Sequence, residues 1–74
     1  MLIFTQDRKN VVDAKLLQVQ RNLGGGKDGK FIILASSVGI GSTIAAAFQD
    51  EKTAMDALEK AYKAFANGAA SYEF

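Results

Sequence analysis

A chain of 74 residues with neither cysteine nor histidine has room for one small core and lacks the usual staples. Disulfides are excluded, as are the common zinc, copper and haem ligand sets. The formal net charge of +1 gives no general pull toward nucleic acid or acidic lipid, and no apolar run approaches the ~20 residues that span a bilayer. The chain therefore reads as a soluble, cytoplasmic protein with a single domain over 1–74.

Leu2 to Thr5 is β-branched and aromatic in character and predicts a first strand. The polar run Gln6 to Asn10 predicts a turn. Val11 to Arg21 continues as strand, but its alternation slips. Val12 and Ala14 share one phase, whereas Leu17 and Val19 fall in the other. Such a slip marks a bulge, or two short strands, near Lys15-Leu16.

Asn22 to Lys30 holds the run Gly24-Gly25-Gly26 and the turn pair Asp28-Gly29. A glycine run that cradles phosphate should open into a helix N-terminus. Here it opens into Phe31-Ile32-Ile33-Leu34, so a loose hairpin loop is the better reading. Phe31 to Val38 is apolar on both faces at first, as a central strand is. After a turn at Gly39 to Ser42, Thr43 to Phe48 predicts a final strand with Ile44, Ala46 and Phe48 on one side. A rival reading starts the helix at Ser42 or Thr43 and makes Gly39-Ile40-Gly41-Ser42-Thr43 an abbreviated phosphate loop. That loop lacks the closing glycine-lysine pair of a P-loop and the third glycine of a dinucleotide fingerprint.

From Asp50 to Ala66 the pattern becomes helical. Ala54, Met55, Leu58, Ala61, Tyr62 and Phe65 form one stripe, with Lys52, Asp56, Glu59, Lys60 and Lys63 opposite. Asp50 is placed to cap the helix, and Asn67-Gly68 to end it. Asp56–Lys60 and Glu59–Lys63 are acid-before-base pairs at four-residue spacing. The tail, 68–74, puts Tyr72 and Phe74 on one face. The predicted fold class is α+β: a small antiparallel sheet of about four strands in a meander, then one amphipathic helix at about 50–66 packed on one face, then a short tail.

The run Ile3-Phe4-Thr5-Gln6-Asp7-Arg8-Lys9-Asn10-Val11-Val12-Asp13 and the ending Asn67-Gly68 with Tyr72-Glu73-Phe74 carry a resemblance. So does Phe48 ahead of a capped helix bearing Ala54 and Leu58. In this order the chain resembles a group of small uncharacterised proteins of Gram-positive bacteria and their phages, with no established activity. The resemblance implies an antiparallel sheet followed by one helix, and it supplies no catalytic residues. The glycine-rich loop is longer than the group's pattern.

Catalysis is not expected. The usual proton shuttle and the strongest nucleophile are both missing. Ser36, Ser37, Ser42, Thr43, Asp7, Asp13, Tyr62 and Tyr72 have no spacing that sets a nucleophile beside its base, and Tyr62 is expected in the core. No cofactor or metal site is expected either. The basic residues Arg8, Lys9, Arg21, Lys27 and Lys30 gather at turns and strand ends, where they could meet phosphates. No aromatic is interleaved among them for base stacking, so nucleic acid is the second choice of partner. The first is another protein, most simply a second copy. Leu2, Ile3, Val11, Leu16, Ile32 and Leu34 cannot all lie under one four-turn helix, which leaves an uncovered sheet face or an edge strand to be paired.

Overall fold

The slip in alternation at Lys15-Leu16 separates two sheets. The computed structural model describes residues 1–23 and 29–74. The elements in chain order are β1 (Leu2–Phe4), β2 (Val11–Asp13), β3 (Leu16–Arg21), β4 (Phe31–Ser37), β5 (Gly41–Phe48), α1 (Glu51–Ala66) and β6 (Ser71–Glu73). The fold is α+β as expected. Its strands are divided into two sheets of three, ordered β2-β1-β6 and β3-β4-β5. The second is the antiparallel meander. In the first, β1 pairs antiparallel with β2 and parallel with β6, so the tail is a strand of the sheet. Gly24 to Asp28, and with them the hairpin-loop reading and Lys27, lie outside the described residues.

Side chains alternate across a strand, and each sheet presents one row to a shared core. From the first sheet this row is Val12, Ile3 and Tyr72, which are cross-strand partners. From the second it includes Leu17, Val19, Ile33 and Ala35. Ile3, Ala14, Ile33 and Ala35 are fully buried. Both halves of the slipped pattern thus point inward, because the chain turns between Asp13 and Leu16. Lys15 N–H donates to Ser36 O at 2.8 Å and Ser37 Oγ to Asp13 O at 2.7 Å, which ties the two sheets at this corner.

The stretch Gly41–Phe48 is strand throughout, which removes the longer helix and its phosphate loop. The expectation that Ile44, Ala46 and Phe48 share a face is corrected. Ile33 pairs with Ala46 but Leu34 pairs with Ile44, so Ala45 is an extra residue in the ladder. This bulge turns Ile44 to the outer face while Ala45 joins the core. Alanine suits it, because Ala45 and Ala46 are both buried and no larger side chain has to be placed.

Helix α1 starts at its expected cap: Asp50 Oδ1 accepts from Thr53 N–H at 2.7 Å. It ends at Asn67, followed by Gly68 at φ 95°, a left-handed position that glycine takes without strain. Ala54 and Ala61, one heptad apart, are completely buried, and Ala57, Leu58 and Phe65 pack against the core. The helix therefore approaches the sheet through small side chains. Met55 and Tyr62 were expected in this buried stripe, but both are exposed on its margin. Of the expected ion pairs, Glu59–Lys63 forms at 2.9 Å. Asp56 pairs instead with Lys52 at 3.3 Å, one turn back rather than forward.

Candidate interaction surface

The two margins of α1 differ in kind. On the β3 side, the exposed part of the apolar stripe and the inner face of β3 enclose an open cleft of about 520 Å³. Met1, Leu17, Met55, Leu58, Tyr62 and Phe65 line it, and among the described residues Glu59 is the one charged side chain on its wall. Tyr62 is 70% exposed and Met55 51%. The helix is drawn close by its alanines and is too narrow to bring these two larger side chains under cover. On the other side lies a cleft of about 340 Å³ whose helix wall is Thr53, Asp56, Ala57 and Lys60 and whose opposite wall includes Tyr72 and Phe74. That margin is polar at the rim and is walled by the tail. Tyr72 packs on Phe65 with ring centres 6.3 Å apart and on Phe74, edge to face, at 5.1 Å.

The two edges of the β3-β4-β5 sheet differ in the same sense. At β5, the turn after β1 supplies a cap. Gln6 N–H donates to Ala45 O at 2.7 Å, and Gln6 Oε1 accepts from Ala47 N–H at 3.0 Å. At β3, Asn22 N–H donates to Lys30 O at 2.8 Å, which makes Asn22 and Lys30 a hydrogen-bonded pair. Hydrogen-bonded and non-bonded pairs alternate along an antiparallel ladder, so Leu17, Val19 and Arg21 turn their peptide groups away from β4. Among the described residues, no turn, loop or cap hydrogen bond reaches the main chain of Leu17 or Val19.

The outer face of this sheet is the third apolar region. Leu34 and Ile44 are cross-strand partners there, with Leu16 alongside; Leu16 and Ile44 are each half exposed. Ser36 and Ser42 share a hydrogen bond of 2.9 Å on the same face. The tail, packed on the inner side, does not cover this face.

The basic candidates are not brought together. Arg8 and Lys9 sit on the β1–β2 turn, whereas Arg21 and Lys30 stand at the hairpin end of β3 and β4. Arg8 has a left-handed backbone (φ 64°), an uncommon conformation outside glycine. Its guanidinium lies 4.9 Å above the Phe4 ring and 3.4 Å from Glu73 Oε2. It is engaged within the fold. The turn itself is held by Asp7, whose carboxylate accepts from Thr5 Oγ1 at 2.6 Å and from Lys9 N–H at 3.0 Å. These bonds, the Thr5 hydroxyl foremost, hold the Asp7 carboxyl below its ordinary value of 3.8. The bond from Thr53 does the same for Asp50.

Among the described residues, no three acidic side chains come close enough to hold a metal ion, and no helix is long and apolar enough to cross a membrane. Comparison with protein-family models, with curated proteins and with solved structures gives no match.

The cleft's apolar lining was present in the sequence as the helix stripe. Its exposure was not, because periodicity defines a stripe and not how much of it a neighbour covers. The uncapped peptide groups of Leu17 and Val19 had no sequence signal beyond the position of β3 as first in the meander.

Proposed function

We propose that the chain is a small non-enzymatic association module that buries its apolar margin against another protein surface, with a second copy as the simplest partner. The observation that carries this reading is the exposed pair Met55 and Tyr62 beside the cleft of about 520 Å³. Contiguous apolar surface rimmed by polar residues marks interaction sites in small soluble domains. A domain of this size also has little stability to spare and gains from burying more surface. Sedimentation equilibrium over a range from low to high micromolar tests it. The weight-average mass should rise toward twice the monomer mass. A monomer mass throughout that range overturns the reading.

A further inference from the structure

A second copy could meet this chain on the outer face of the β3-β4-β5 sheet or along an edge, and the two make different demands. The outer face offers Leu16, Leu34 and Ile44 but no unsatisfied main-chain group. The β3 edge offers both an apolar wall, at Leu17, and the outward peptide groups of Leu17 and Val19, with the N–H of Arg21, whose carbonyl accepts from Leu23 N–H at 3.0 Å. Resting on the self-association proposed above, we infer that two copies join β3 to β3, antiparallel, about a two-fold axis at Val19.

The register follows from the edge itself. Residues 17, 19 and 21 turn outward, and a two-fold pairing that engages all three, Arg21 through its N–H, sets Val19 opposite the partner's Val19 and Leu17 opposite the partner's Arg21. Two sheets of three strands become one of six, with both helices on the same side. The two clefts then face each other across the axis, and Met55 and Tyr62 are covered by the opposite copy. Charge agrees with this register. Arg21 shares its strand face with Leu17 and Val19, so the partner's Arg21 arrives beside Leu17, on the wall facing Glu59. The area limits the strength. A six-residue strand is about 20 Å long, and a sheet with a helix layer is about 20 Å deep, so each copy contributes roughly 400 Å². Roughly 800 Å² in total is below the ~1,000 Å² that a stable interface clears, so the pair is a weak one that depends on concentration. The β5 edge does not compete, since Gln6 already occupies it.

The absence of native cysteine makes single-cysteine variants clean probes. Facing residues of a hydrogen-bonded antiparallel pair are ~5.5 Å apart at Cα, within disulfide reach. Under mild oxidation at high micromolar concentration, Val19→Cys should give a covalent dimer, and Ile44→Cys should not. Val19→Pro removes an N–H that is turned away from β4 and makes no turn, loop or cap bond among the described residues, so it should leave far-ultraviolet circular dichroism unchanged and raise the dimer Kd at least tenfold. Tyr62→Lys should do the same from the exposed helix margin, and it keeps the test decisive if the proline variant fails to fold. If the dimer persists in Tyr62→Lys and is lost in Ile44→Lys, the edge pairing is overturned and self-association stands. A wild-type chain that never exceeds monomer mass overturns both.

Discussion

The two edges of the β3-β4-β5 sheet start from the same chemistry and end differently. Each is a strand with half of its peptide groups turned outward. At β5 one glutamine from a neighbouring turn closes the middle of the row with its own N–H and its side-chain oxygen. The flanking side of α1 there is Thr53, Asp56 and Lys60. At β3 no such cap is present among the described residues, and the flanking side of α1 is Met55, Leu58 and Tyr62. Natural sheets blunt the edges they do not use with charge, bulges or cover. In this chain the bulge, the cap and the polar helix flank all fall on the β5 side. What distinguishes a protected edge from an available one is therefore the agreement of several small features, none of which is visible in the strand sequences alone.

Both edges hang on the central strand, β4. Ile33 lies on the central strand and is fully buried, so Ile33→Ala should cost ~2–5 kcal/mol, a large part of what a domain this small has. Thermal melts should show both edges lost in one transition. A drop of only a degree or two would mean that the sheet is not the centre of stability.

Gln6→Ala sharpens the contrast by removing the side-chain half of the β5 cap. Leaving the Ala47 N–H without its partner should cost about 1 kcal/mol. It should also make the β5 edge available. In a Tyr62→Lys background, where the β3 margin is blocked, light scattering should detect renewed association. If Gln6→Ala stays as monodisperse as its parent, the cap is not what protects β5.

Acid should act more gently, through the turn beside β5 and the helix cap. Asp7 and Asp50 are both held below the ordinary value of 3.8 by hydrogen bonds to the folded chain. A depressed native pKa stabilises the fold above the unfolded value, and that contribution is lost as pH falls through the native one. Melting temperature should thus be level near neutrality and decline below about pH 4. Asp50→Asn keeps a capping oxygen without a titrating group and should shallow that decline. An unchanged acid limb would remove Asp50 from the account.

The smallest effects should come from the helix surface. Tyr62→Lys and Lys60→Ala each change an exposed residue and should move stability by no more than about 0.5 kcal/mol. They should differ in sedimentation, where only the first matters. Equal melts with unequal masses would separate the fold from the margin cleanly.

The parts of this architecture legible in the sequence were those written as periodicity or as local chemistry. The helix, its Asp50 cap and its Gly68 end follow from residues within one turn of each other. The break between β2 and β3 was legible because Val12 and Leu17 fall in opposite phases. The bulge at Ala45 was not, since Ala45-Ala46-Ala47 has no alternation to interrupt. Nor was the burial of Ala54 and Ala61 in preference to Met55 and Tyr62. Hydrophobicity ranks the larger side chains as core, but a close helix-sheet contact selects the smaller ones. The role of Gln6 depends on a contact 41 positions away, and a lone polar turn residue carries no pattern that foretells it.

The pairing of β1 with β6 has a bearing on the order in which the molecule assembles. Leu2 lies opposite Ser71, so this strand pair closes a loop of nearly the whole chain, whereas the β3-β4-β5 meander joins neighbours through short connections. Loop closure must be met before distant contacts return anything. The meander and helix should therefore form the folding nucleus, with β1 and β6 docking afterwards. Substitution at Ile33 should slow refolding in stopped-flow measurements, while substitution at Tyr72 should chiefly speed unfolding. The protein would then pass through a moment when the inner row of the meander is built and the first sheet has yet to close over it.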